Sequence, residues 1–509
     1  MCRFVFFVGV MMIARGYAAK CQDTAAMKYD TSYVSLAHYK APEWYEDAKI
    51  GYWVHWGIYS VPAYAGDHAA EWYGRWMYSL NGQSENNRGY ATHLHHVATY
   101  GDPSKFGYKD FIPMFKAEKF DANKWADIFS KGGAKFFTMM GVHHDNFAMW
   151  DTKLSKWNAM NMGPHRDLVG EVAKAMRAKG LKFGVSNHSG WNYEFFKFNY
   201  INHYDAMDTA NQDLYGNPII NGMNAKPSER DLDRWIARTL ELCDKYKPDL
   251  YYFDWDINNP AFESRRKEFA AHYYNKAIEW GKGVYGAPGV VINYKDHAYK
   301  PGSAVLDEER EAKGGIADMV WQTDDCVYAG ENWGYVANAP VKSPKTIIDE
   351  LVDIVSKRGV LMLSFAPRPD GTIPDDQVQL AYSIGAWLKV CGEAIYNTRP
   401  WYIFGEGPTS KGIKSAQFTA EDIRFTRNKA KTILYAIAMD WPQQVTLESL
   451  AIGKIDKNDI KSISLVGTGE KLKWVQDKNA LTIKMPAEKP SYGYAYPIKI
   501  EFKGQLPGI

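Results

Sequence analysis

The sequence predicts an α/β fold, a (β/α)8-like (TIM-type) barrel followed by a C-terminal β-sandwich, and three observations carry that expectation. From about residue 45 to 395, short β-rich apolar runs alternate with helical patterns, as repeated β/α units around a parallel sheet do. Nearly every apolar run ends in His, Asp, Glu, Asn or Trp, and in such a barrel side chains at the C-terminal strand ends converge on one site. Beyond about residue 400 the pattern changes to period-two alternation with turn residues and no long helical stretch. A chain of 509 residues accommodates one large domain and one smaller one. The expected division is a signal peptide over 1–19, the barrel over 20–398 and the sandwich over 399–509.

The N-terminus, "MCRFVFFVGVMMIARGYAAKC", has basic Arg3, an apolar run from Phe4 to Ala14 and small residues ahead of Lys20. That is the layout of a secretory signal, so a secreted or periplasmic protein is expected. The run is too short for a membrane span, which needs roughly 20 apolar residues. Lys20 stands where a small residue would precede a lipid-modified cysteine, which argues against anchoring at Cys21. Candidate strands follow in order: "IGYWVHW" (50–56), "FFTMMGVHH" (136–144), "LKFGVSNH" (181–188), "LYYFDW" (250–255), "VVINY" (290–294), "AVLDEE" (304–309) and "VLMLSF" (360–365). Between them, "DLVGEVAKAMRAKG" and "ERDLDRWIARTLELCDKYKP" space apolar residues at i, i+3 and i+4, and the second stops at Lys247 and Pro248. The sandwich candidates are "KTILYAIAMDW", "KSISLVGTGEKLKWVQDKNALTIKMP" and "YPIKIEF".

A net charge of +2, with 61 basic and 59 acidic residues spread along the chain, excludes an electrostatic footprint for nucleic acid. The 18 Trp and 34 Tyr residues supply flat apolar faces with polar handles, suited to stacking on sugar rings. Cys21, Cys243, Cys326 and Cys391 are scattered and make no disulfide framework.

Three chemistries compete for the polar strand ends. Nucleophilic Ser or Cys hydrolysis lacks a Gly-x-Ser-x-Gly elbow, and no phosphate or dinucleotide loop is present. A metal site could draw on His93, His95 and His96 of "HLHH" or on His143, His144 and Asp145 of "HHD". Neighbouring residues of a strand face opposite ways, and "HLHH" lies in a polar segment without clear helix or strand, so no metal and no cofactor is expected. Paired carboxylates for glycoside hydrolysis need two acids from different strand ends. "YYFDWDINN" offers Asp254 and Asp256, which strand periodicity puts on one face with Tyr252. "VLDEERE" offers Asp307, Glu308, Glu309 and Glu311.

Several long stretches resemble glycoside hydrolase family 29, the α-L-fucosidases: "KIGYWVHWGIYSVPA", "EWYGRWMY", "YGDPSKFGYKDFIPMFKAEKFDANKWADIFSKGGAKF", "GVHHDNFAMWDTKLSKWNAMNMGPHRDLVGE", "YFDW", "VWQTDDC", "ENWGY", "APRPDGTIPDDQ" and "TRPW" followed by "FTAEDIRFT". The resemblance implies a retaining exo-α-L-fucosidase of the same barrel-plus-sandwich architecture. Its partner would be a fucosylated oligosaccharide, polysaccharide or glycoconjugate. It makes Asp254 the nucleophile and Glu309 the acid/base, with Glu308 and, more remotely, Glu331 as alternatives. It assigns sugar binding to His55, Glu71, Trp72, His143, His144, His188 and Trp191, and puts Tyr252 beside the nucleophile. Retention implies carboxyl groups roughly 5 to 5.5 Å apart.

The chain departs from that family's pattern at Asn146, Asp256 and Glu311, at or beside the expected site. An α-L-galactosidase of the same family is the alternative, because a hydrophobic contact rejects one added hydroxyl only modestly. A non-catalytic sugar-binding protein would lack one carboxylate of the pair.

Overall fold

A computed structural model describes residues 27–411 and 417–506; the expected signal peptide and Cys21 lie outside these residues. Eight parallel strands form the larger sheet: β1 (Ile50–Val54), β2 (Phe136–Val142), β3 (Lys182–Asn187), β4 (Leu250–Phe253), β5 (Val291–Tyr294), β6 (Val305–Leu306), β7 (Trp321–Cys326) and β8 (Gly359–Phe365). Their spatial order is β6-β5-β4-β3-β2-β1-β8-β7, and a parallel bridge from Asp307 to Gln322 joins the outer strands into a closed barrel. Glu308 N donates to Gln322 O at 2.9 Å and Arg310 N to Asp324 O at 2.9 Å, extending the closure beyond β6.

Six helices alternate with these strands: α1 (Ala122–Lys131), α2 (Leu168–Ala178), α3 (Glu229–Tyr246), α4 (Glu263–Glu279), α5 (Pro344–Ser356) and α6 (Asp375–Cys391). Among the described residues no α-helix separates β5 from β6 or β6 from β7. The helix starts have local causes. Asp121, Asp167 and Ser343 accept backbone N–H groups at the first turns of α1, α2 and α5. Ser228 and Asp231 form a reciprocal capping box on α3, and Lys247 ends that helix in a left-handed conformation before Pro248.

The seven strands expected from the sequence are present, six of them shorter than expected, while β8 begins one residue earlier, at Gly359. The sequence reading missed β7, whose core reads Gln-Thr-Asp-Asp yet is buried throughout. Its polar groups are partnered inside the barrel wall. Tyr45 donates to Gln322 at 2.7 Å, Gln322 to Asp307 at 2.9 Å and Tyr252 to Asp324 at 2.8 Å, while Asp325 pairs with Lys342. A buried strand therefore need not be apolar when each polar side chain has a partner. "HLHH" also differs from expectation, since it lies in a helix over Tyr90–Tyr100. His93 Nδ1 lies 2.8 Å from Met77 O and His96 Nε2 2.9 Å from Phe106 O, so both imidazoles brace backbone carbonyls.

The C-terminal part is antiparallel, with one six-stranded and one three-stranded sheet and a core of its own. It is fixed to the barrel by buried Arg424, whose Nε meets Asp353 of α5 at 2.6 Å, and by Trp387 of α6, which donates to Ala495 O. Cys243, Cys326 and Cys391 are buried free thiols. No helix of the described residues is long and apolar enough to cross a membrane.

Candidate active site

The C-terminal ends of β1 to β7 surround a cavity of about 370 Å³. Asp254 is the first residue beyond β4, which stops at Phe253 because the chain turns there into a 3-10 segment, Trp255–Asn258. The periodic alternation therefore breaks before Asp256. Asp254 enters the cavity, whereas Asp256 sits in the turn, 2% exposed, outside the lining. Tyr252 and Asp254 both meet His188 and Lys295 on the inward face, and Asp256 alone leaves the face expected for all three.

Asp254 is held from two sides. Its Oδ1 lies 3.0 Å from Lys295 Nζ, and its Oδ2 lies 3.3 Å from both His144 Nε2 and His188 Nδ1. Burial alone would raise this carboxyl, but Lys295 and then His188 outweigh it and hold it well below the usual carboxylate range. Lys295 follows β5 directly and is itself buried. Burial opposes its charge, yet Asp254, Asp324 and Glu309 together raise it well above an ordinary lysine. The same ammonium reaches Glu309 Oε2 at 2.7 Å and Asp324 at 3.4 Å.

Glu309 lies at the cavity mouth with its side chain 39% exposed. Glu308 points elsewhere and pairs with Lys313 at 2.7 Å, while Glu331 and Glu311 are exposed and outside the lining. Two oxygens that touch one ammonium at 3.0 and 2.7 Å can be no further apart than those lengths laid end to end. That limit brings the facing oxygens of the two carboxylates to within a sugar-sized space of each other.

His55, Glu71, Trp72, His143, His144 and His188 all line the cavity. Burial pushes His55 and His143 well below the ordinary imidazole range, and neighbouring imidazoles push the same way. His188 is also lowered by burial, against the pull of Asp254. These three rings are thus neutral at neutral pH and offer both donors and acceptors. His143 and His144 follow the end of β2, so strand alternation no longer separates them, and their ring centroids are 4.6 Å apart. Glu71 Oε2 accepts Trp333 N at 3.1 Å and Gly334 N at 3.0 Å, leaving buried Oε1 without a hydrogen-bond partner. Burial pushes the Glu71 carboxyl up to about 7 despite those backbone donors.

Two expected residues stand behind the lining. Trp191 packs on Trp72, with centroids 5.2 Å apart, and on Trp255 at 4.9 Å. Tyr252 is fully buried beneath Trp53 and donates to Asp324. The sequence reading missed Trp53, Trp255, Lys295, Asp324 and Trp333 of the lining. The polar-strand-end signal was available for Lys295, which follows "VVINY" directly, and for Trp53 near the end of "IGYWVHW".

The comparisons with known proteins agree with this geometry. A family profile described as Alpha-L-fucosidase matches residues 16–393, and one described as Alpha-L-fucosidase C-terminal domain matches 416–501. Tissue alpha-L-fucosidase of Homo sapiens is 28% identical over 499 residues, covering 95% of this chain and 92% of that one. The Rattus norvegicus tissue enzyme is 27% identical over 496 residues, covering 94% and 93%. The solved structure of Thermotoga maritima alpha-fucosidase in complex with fucose has 29% identity and a TM-score of 0.72, covering 92% of this chain and 100% of that one. With a profile spanning most of its length, carboxylates at the strand ends and the same two-part architecture, the chain belongs to the α-L-fucosidase family.

Proposed function

We propose that this protein hydrolyses terminal α-L-fucosyl residues of glycans with retention, Asp254 serving as nucleophile and Glu309 as acid/base. One observation carries the reading: a single buried ammonium, Lys295, touches both carboxylates. In the first step an Asp254 oxygen attacks the anomeric carbon, the glycosidic C–O bond breaks, and the leaving oxygen takes the Glu309 proton. Asp254 is then a neutral ester, so the Lys295 charge is left to Glu309 and favours its carboxylate form. That form removes a proton from water, the water oxygen attacks the anomeric carbon, and the ester bond breaks to free Asp254. Lys295 thus balances one negative charge at each stage. Neutral His55, His143 and His188 suit the sugar hydroxyls, and the Trp53, Trp255 and Trp333 faces suit a 6-deoxy methyl group.

The proposed organisation is a signal peptide over 1–19 directing export, the catalytic barrel over 20–398 and the sandwich over 399–509. The decisive test is Asp254→Ala assayed on 4-nitrophenyl α-L-fucoside, with azide rescue and the anomeric form of the product read by NMR. A large loss of rate, restored by azide as a glycosyl azide of inverted configuration, is expected, with retention in the unmodified enzyme. Unchanged turnover in Asp254→Ala, or an inverted product from the unmodified enzyme, rejects the mechanism.

A further inference from the structure

A second cavity, large enough for one small ion, lies between α3 and the loops that follow β2 and β3. Asp231, Arg234, Trp235 and Arg238 line it from α3, and Asn146 and Asn192 from the loops. Arg238 is 1% exposed, and its Nη1 hydrogen-bonds the Asn146 side chain. Its Nε and Nη2 have no hydrogen-bond partner among the described residues, and neither do Arg234 Nε and Trp235 Nε1. All four unpartnered buried polar atoms on the lining residues are therefore N–H donors. A single water accepts only two hydrogen bonds, fewer than these four donors, whereas one anion can accept from all of them.

The nearby carboxylates leave Arg238 without a direct ion pair. Asp231 caps α3 through Ser228 and accepts Asn217 N at 2.8 Å. Asp213 binds Arg230 at 3.2 Å and lies 3.7 Å from Arg234 Nη1. A buried, uncompensated guanidinium is costly, and two side by side repel each other. Burial and the neighbouring Arg234 bring Arg238 down to about 9, which leaves it charged at neutral pH.

We propose that this cavity binds a small inorganic anion, with chloride as its occupant, between Arg238, Trp235 and Arg234. The site stands directly behind the sugar pocket. Asn146, which holds Arg238, donates to Asn192 at 3.2 Å, and Asn192 donates to His144 O at 2.9 Å. Asn146 adopts φ +63°, a left-handed conformation that asparagine tolerates better than most residues, and its amide links the anion site to the loop carrying His144.

The test uses the full chain in sodium chloride and in sodium gluconate at equal ionic strength, together with bromide-soaked crystals. Chloride should raise the thermal midpoint saturably by about 1–3 °C over gluconate. An anomalous bromide peak should lie within hydrogen-bond distance of Arg238 and Trp235. Arg238→Gln should abolish the chloride-specific shift. Trp235→Phe, which keeps an aromatic ring in the core, should reduce it should the first variant fail to fold. A midpoint that responds equally to both salts, a cavity holding only water in bromide, or a response undiminished in the variants overturns the proposal.

Discussion

Replacing Lys295 with methionine keeps the length of the buried stem and removes the ammonium that lies 3.0 Å from Asp254. At that distance, with an effective dielectric of about 20, the pair is worth about 5 kcal/mol. His144 and His188 continue to contact the other Asp254 oxygen at 3.3 Å, so roughly half of that interaction is expected to be lost in the rate, about 2–3 kcal/mol. That corresponds to about a 100-fold fall in kcat/KM. The sign of the pH effect follows from the direction of the shift. Lys295 depresses the Asp254 carboxyl, so the reactive carboxylate persists as pH falls. Without it the carboxyl rises, and the acidic limb of the kcat/KM profile should move to higher pH. The assay is that profile with 4-nitrophenyl α-L-fucoside, whose good leaving group makes little demand on Glu309. Lys295→Arg should recover most of the rate. A Lys295→Met enzyme within fivefold of the parent, with its acidic limb unmoved, would refute the charge-balancing role.

Further outcomes follow from the neighbouring carboxyls. Glu71 has its folded value raised from 4.5 to about 7, so its contribution to stability is full below pH 4.5 and lost as pH rises through 7. Glu71→Gln should therefore unfold at a higher temperature than the parent at pH 8, by about 3 kcal/mol of stability at most, and should match it at pH 4; kcat/KM should fall at least tenfold. Glu309→Ala should slow alkyl fucosides at least tenfold more than the 4-nitrophenyl substrate, whereas Glu308→Ala, which only frees Lys313, should stay within threefold on both. Asp256 is buried without a hydrogen-bond partner for either oxygen, and burial, reinforced by Asp254, holds it as the neutral acid. Asp256→Asn should leave activity within threefold and stability equal or higher at pH 7, read by thermal unfolding; a loss of activity beyond tenfold would mean that the carboxyl is needed in ionised form.

Much of the barrel was legible because its strands are buried on both faces and read as continuous apolar runs. The strand β7 was hidden for the opposite reason, since Gln322, Asp324 and Asp325 are polar and find their partners only in the folded wall. Periodicity predicted Asp254 and Asp256 as equals, because nothing in "YYFDWD" announces that the strand ends at Phe253. Likewise His143 and His144 appeared divergent until the end of β2 released both from alternation. Lys295 was passed over because a lysine after an apolar run ordinarily marks a solvated end. Its role depends on three acids that come from three other places in the chain.

The seam of the barrel divides labour between its walls. Asp254 follows a strand flanked by α3 and α4, whereas Glu309 hangs beyond a two-residue strand that, among the described residues, no α-helix separates from β5 or β7. Amide exchange should consequently be slowest around β1 to β4 and faster from 311 to 320, just beyond the amides that close the seam. A nucleophile benefits from the stiff wall, because its attack has one trajectory. A proton carrier that must serve first a departing oxygen and then an arriving water benefits from the pliant one.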